Sequence, residues 1–304
     1  MRIVGIDEIR CAVSPAAAID AMRHAVIAYS RGECETPMPM HLYLARDHGG
    51  EVHMKSSFRK GGRHFALKMA GTFATRAYGM VMLVSAETGE TAAYFDDGGH
   101  LTDLRTAAVA AMTARELGRK DSVLGILGTG IQARLQAELH AGVLPLAEIY
   151  VWGRNPGHAA PCVREISVSL PGVRVAALAT PAEVAARARL VVTATASRAP
   201  LFRVEDVSPG THVSAVGADS PGKQELDPAI LRRASLLLVD SLAQCEKLGE
   251  LQHALSEKAR AVEIGAFCES PRDYDRDGVT VADFTGLGAE DLFIAEACLA
   301  SLRS

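Results

Sequence analysis

The chain has 304 residues and a mass of 32.2 kDa, a length that suits about two domains of roughly 150 residues each. Hydrophobic residues make up 48% and charged residues 22%, ordinary globular proportions that exclude a disordered or fibrous protein. The net charge of −4 offers no basic excess to a phosphate backbone, so nucleic acid is not expected as a partner.

From the N-terminus, MRIVGIDEIRC lacks the charged-then-apolar pattern of a signal peptide. Ser14 can cap a helix that starts at Pro15 and ends at Gly32, with Ile19, Met22, Val26 and Tyr29 on one buried stripe. The period then drops to two: Met40, Leu42 and Leu44 alternate, Asp47-His48-Gly49-Gly50 supplies a turn, and Val52 and Met54 alternate again. Phe65, Leu67 and Met69 occupy one face of the next strand, which sends His64, Ala66 and Lys68 to the other. Two further strands, about 78–86 and 91–96, flank Glu87-Thr88-Gly89-Glu90, and Met80 and Met82 read as core residues. The first hundred residues are expected to form an α+β unit of antiparallel hairpins.

From residue 121 apolar runs alternate with helical segments: Val123–Leu127, Ile149–Trp152, Val173–Leu178, Leu190–Val192, Val213–Val216 and Leu236–Val239. Continuous apolar strands between helices predict a parallel sheet covered on both faces. Thr180-Pro181-Ala182-Glu183 carries a helix-capping signature, and 289–302 reads as a last helix. The longest apolar runs fall far short of the roughly 18 residues that span a bilayer, and no membrane partner is expected. The six cysteines are scattered without a CxxC pair, which predicts reduced thiols in a cytoplasmic protein.

The first apolar run leads into Gly128-Thr129-Gly130-Ile131-Gln132-Ala133, a GxGxxA turn between strand and helix. Gly128 permits the turn, Gly130 lets the backbone approach a pyrophosphate, and Ala133 lets helix and strand pack closely. A dinucleotide is therefore the expected cofactor, held by Gly128, Gly130, Ile131 and Gln132, with Thr193 and Ala194 at the end of the fourth run. The second strand ends Val151-Trp152-Gly153-Arg154-Asn155, and no carboxylate follows through residue 164 to accept from ribose hydroxyls. Arg154 suits a 2′-phosphate instead. NADP(H) is the preferred expectation, with NAD(H) as the other candidate.

Leu101-Thr102-Asp103-Leu104-Arg105-Thr106-Ala107-Ala108, the GTGIQA turn, Val216-Gly217-Ala218-Asp219 with Lys223 and Glu225, and Ala282-Asp283-Phe284-Thr285-Gly286 together resemble the ornithine cyclodeaminase/mu-crystallin family, nearest its ectoine-utilisation branch. The resemblance runs from about residue 37 to the C-terminus. It implies a Rossmann-type doubly wound sheet over 119–287, and an α+β substrate and dimerisation domain over 1–118 with 288–304. It also implies a homodimer acting on the C–N bond of a small amino or imino acid with NAD(P)(H). Lys68 and Asp219 match the family's catalytic lysine and aspartate, Arg105 its substrate-carboxylate arginine, and Thr285 a substrate-contacting position. A second carboxylate-binding arginine is absent from Met38-Pro39-Met40-His41-Leu42, where His41 is the candidate replacement.

The residues agree with those roles. A desolvated lysine exchanges protons near neutral pH, and an arginine in the first turns of a helix makes sense when an anion docks there. Asp219 follows the fifth strand, on the edge where doubly wound sheets bind ligands. Gly217–Lys223 imitates a P-loop, but Gln224 stands where Ser or Thr would ligate magnesium. Asp273–Gly278 starts like a calcium loop but has Phe284 at its twelfth position. The ten histidines show no HExxH or paired His/Cys spacing, so no metal is expected. Three readings follow: an imine or ketimine reductase or amino-acid dehydrogenase, a cyclodeaminase that recycles its hydride and releases ammonia, and a non-catalytic NADPH-binding protein.

Overall fold

In a computed structural model, residues 1–44, 50–73 and 76–303 are described; the turn at 47–49 lies outside them. Two compact units emerge, Met1–Val109 with Leu287–Ser304, and Ala110–Gly286.

The first unit is a seven-stranded sheet. Its order is Arg2–Gly5, Thr91–Asp96, Ala77–Ser85, His64–Thr72 and Gly50–Arg59, with Cys34–Glu35 and Met40–Leu44 both paired to the last. All neighbours are antiparallel except Arg2–Gly5, which runs parallel to Thr91–Asp96. That first strand was not legible in the sequence, because four residues against one neighbour carry too little pattern. The helix Pro15–Ser30 forms where expected, with Ser14 Oγ accepting from the Ala17 amide.

The helix Gly288–Ser301 packs on the central strands and on Pro15–Ser30. It approaches so closely that a Cβ on Gly288 would lie 2.4 Å from the Ser56 carbonyl oxygen, so only glycine fits. The covered face of the sheet is the one that carries Ala66 and Lys68, 0% and 4% exposed. Leu67, at 38%, faces the open side. Met80 and Met82 are likewise half-buried on that open side rather than in the core, which corrects the expectation for both. Alternation announced two faces, and the charged residues at Lys68 and Lys55 concealed which one is covered.

The second unit is an eight-stranded parallel sheet in the order Arg174–Ala177, Glu148–Trp152, Val123–Leu127, Leu190–Thr193, His212–Ala215, Thr280–Asp283, Leu236–Val239 and Val262–Glu263. The first five give the 3-2-1-4-5 winding of a Rossmann sheet. Thr280–Asp283 then inserts before Leu236–Val239, a strand the apolar pattern missed because its ends are polar and its middle only two residues long. Strand residues alternate into two cores, one around Leu124, Ile126 and Val192, the other around Val191, Val213 and Val281. Both faces are thus buried, as a parallel sheet requires. The capping box at Thr180 and Glu183 forms.

Candidate active site

In the first unit, Lys68 lies on the covered sheet face opposite Lys55 on the neighbouring strand, both buried. Its Nζ stands 4.0 Å from Asp291 Oδ2, an ion-pair rather than a hydrogen-bond distance. Arg105, on the helix His100–Glu116, donates from Nε to Asp291 Oδ1 at 3.0 Å and from Nη1 to Glu290 Oε2 at 3.1 Å. Arg105, Glu290, Asp291 and Lys68 are all at most 5% exposed in their side chains. The guanidinium expected at a substrate carboxylate is therefore already clasped by two carboxylates of the chain's last helix. Asp97 fixes the start of the Arg105 helix by accepting from the Gly99 and Leu101 amides. His41 does not join this cluster. It pairs across strands with His53, and Glu51 lies beside both.

In the second unit, Gly128 has φ +136°, and a Cβ there would come within 2.5 Å of the Ala194 carbonyl oxygen. Only glycine makes this turn. Gly130 caps the helix Ile131–Ala141 and has no atom within 4 Å of where a Cβ would sit, so the backbone is open to an incoming group. Gly153 faces Thr129, whose Cγ2 would lie 2.4 Å from an added Cβ. Gly128, Thr129 and Gly153 line a cleft of about 640 Å³ with Trp152, Arg154, Asn155, His158, Ala194, Thr195 and Ser197. An open helix N-terminus beside an exposed arginine is the donor set an anionic dinucleotide needs, so the residues present fit such a cofactor. Ile131 is 51% exposed, and the Gln132 side chain accepts from Gln136 Nε2.

Thr193 does not display its hydroxyl to the cleft. It donates to Glu225, a buried carboxylate that also receives Thr195 N, Thr195 Oγ1 and Gly217 N at 2.6–2.9 Å. Glu250 in turn accepts from the Glu225 and Leu226 amides, and Asp283 from those of Glu250 and Leu251. Burial raises all three carboxyls, Asp283 to about 7. Asp240 holds the Thr285 and Gly286 amides and the Thr285 hydroxyl, so Thr285 too is turned into the scaffold. Asp219, at 34% side-chain exposure, accepts from Lys223 Nζ at 2.6 Å and from Ser220 Oγ. Its loop is tied down by Gln252 at Ser220, Gly222 and Lys223. Sequence reasoning missed His158, Thr195 and Ser197; the last two directly follow the fourth strand and were findable from that position alone.

The chain matches the Ornithine cyclodeaminase/mu-crystallin family over residues 6–304. An alanine dehydrogenase of Archaeoglobus fulgidus is 32% identical over 95% of this chain and 91% of its own length. The iminosuccinate reductase of Paracoccus denitrificans, solved in complex with NAD+, superposes with a TM-score of 0.89 at 29% identity, covering 100% of this chain and 96% of that one. An archaeal alanine dehydrogenase dimer with bound NAD gives 0.89 at 28% identity, over 100% and 96%. With a family match across nearly its whole length and the GTGIQA turn in its expected place, the chain belongs to the ornithine cyclodeaminase/mu-crystallin family.

Proposed function

We propose that the protein is an NADP(H)-preferring oxidoreductase acting on the CH–NH or C=N bond of a small amino or imino acid. The observation that carries this reading is the cleft at Gly128–Gly130, where a glycine-only turn opens onto an uncovered helix N-terminus. Its relatives named above act as alanine dehydrogenase and iminosuccinate reductase, two reactions at a C–N bond. A bound nicotinamide supplies or removes the hydride. The amides at the start of Ile131–Ala141 would receive the pyrophosphate, and Arg154 a 2′-phosphate. That last assignment sets this chain apart from the two neighbours, which were solved with NAD.

Lys68 Nζ, desolvated and beside Asp291, would carry one proton, and the Asp219 carboxylate, next to Lys223, would serve the substrate nitrogen. Arg105 would meet the substrate carboxylate while Glu290 and Asp291 hold it in place. The functional form would be a homodimer. Met40, Met54, Met69 and Met80 stand directly opposite one another across four adjacent strands on the open sheet face, with Leu67 and Met82 in the next row. They line an apolar hollow of about 390 Å³, which a second copy of the chain would cover.

The test is a screen of cyclic ketimines, and of 2-oxo acids with amines, against NADPH and NADH. Net NADPH oxidation is the expected result. The family name also covers a cyclodeaminase, and ammonia released from a diamino acid without net cofactor change would establish that reading instead. Tight NADPH binding with no turnover on any of them would overturn both.

A further inference from the structure

We propose that His41, Glu51 and His53 form a binding site for a divalent transition-metal ion of the zinc class. Among the described residues, these three each offer one ligand atom, and the atoms all lie within 4.8 Å of one another. The backbone sets the arrangement. His41 and His53 are cross-strand partners on Met40–Leu44 and Gly50–Arg59, while Glu51 precedes His53 by two residues and so shares its face. The imidazole centroids are 4.4 Å apart and tilted by 47°, placing both rings at the same end of the pair.

The distances suit a single small ion. Tetrahedral zinc with bonds near 2.1 Å places its ligand atoms about 3.4 Å apart. His53 Nε2 lies 2.8 Å and His41 Nδ1 3.9 Å from the same Glu51 oxygen, on either side of that value. Modest side-chain rotations bring all three to bonding distance. Two imidazoles and one carboxylate form a borderline-soft donor set that favours zinc, cobalt, nickel or copper over magnesium or calcium, which prefer all-oxygen shells. The His side chains are 12% exposed and Glu51 26%, so three protein ligands hold the ion and one position stays open to water or an anion. A hydrogen bond between His53 and Glu51 would by itself account for two of the three groups. Strand register brings His41 to the same point.

The experiment uses the full chain stripped with a chelator, then titrated with Zn2+ by calorimetry and with Co2+ by visible absorption. One ion per chain with a micromolar or tighter Kd, and the intense bands of tetrahedral cobalt, are expected. His41→Asn and His53→Asn should each weaken binding at least tenfold. If those variants fail to fold, zinc-edge anomalous diffraction from the unaltered protein decides the matter, with a peak expected between the three side chains. No stoichiometric binding, undiminished binding in folded variants, or an anomalous peak elsewhere would each overturn the proposal.

Discussion

Leu67 and Lys68 are consecutive on one strand, yet the lysine is 4% exposed and the leucine 38%. The usual assignment of apolar residues inward and charged residues outward is inverted here, because the helix Gly288–Ser301 covers the lysine face. Its Asp291 supplies the counter-charge that makes a buried ammonium tolerable. The open face is then left apolar, and the two consequences can be tested separately.

The first concerns assembly. A Met54→Glu, Leu67→Glu double variant places charges on the methionine face without touching Lys68. Light scattering behind size exclusion should show the unaltered protein at twice the 32.2 kDa chain mass and the variant at one chain mass, with its circular dichroism retained. A variant that keeps the parent's mass would remove this face from the interface.

The second concerns catalysis. Lys68→Met keeps the length of the side chain but loses the charge, and should lower kcat at least a hundredfold while leaving the NADPH dissociation constant within about twofold. Asp291 then loses a neighbouring cation, so a modest fall in Tm is expected as well. Full turnover by a folded Lys68→Met protein would remove the lysine from the chemistry.

Much of this was legible in the sequence, and the rest was hidden for identifiable reasons. The parallel strands from Val123 to Val239 showed as apolar runs because both their faces are buried. The GxGxxA turn was readable because its glycines answer to local backbone geometry. Thr280–Asp283 was unreadable as a strand because its ends serve hydrogen bonds: Thr280 Oγ1 meets His212, and Asp283 holds two amides. The commitment of Arg105 to Glu290 and Asp291 spans more than 180 residues of chain, a distance over which no spacing rule operates. His41 and His53 likewise meet only through strand register.

The NADP(H) preference proposed above rests on Arg154. It is exposed in the cleft, with Gly153 before it and no carboxylate near it in the sequence to accept from ribose hydroxyls. A charge-assisted hydrogen bond contributes about 1.5–3 kcal/mol, so Arg154→Ala should weaken NADPH roughly ten- to a hundredfold. NADH affinity, measured by the same fluorescence titration, should barely move. Equal losses for both cofactors would refute the 2′-phosphate assignment.

Glu225 acts through its neighbours. Its two oxygens each accept one backbone amide, Thr195 N and Gly217 N, besides the hydroxyls of Thr193 and Thr195. In Glu225→Gln, whichever oxygen becomes an amide nitrogen faces a backbone N–H and cannot accept from it. One buried donor is left unsatisfied at about 1–3 kcal/mol. Because Thr195 lines the cofactor cleft, the KM for NADPH should rise by more than kcat falls. A variant that lost only Tm would show Glu225 to be structural alone.

His140 gives a pH dependence whose sign follows from its surroundings. It is fully buried on the helix Ile131–Ala141, with Nδ1 2.8 Å from the Gln136 carbonyl oxygen and, among the described residues, no hydrogen-bond partner at Nε2. Burial pushes its pKa down to about 4 from an ordinary 6.5. Between those values the unfolded chain takes up a proton that the folded one refuses, so the contribution to stability is intact above 6.5 and lost as pH falls toward 4. At pH 5 the loss is about 2 kcal/mol. His212, also buried and depressed, acts in the same direction. Asp283, raised to about 7, acts oppositely over the same range, favouring the fold as pH falls. The overall profile is therefore a difference, and only a comparison of variant with parent isolates one group. His140→Leu cannot take up the proton, so its Tm relative to the parent should rise steadily between pH 7.5 and pH 5. A gap that stays constant across that range would mean that His140 titrates alike in the folded and unfolded chain.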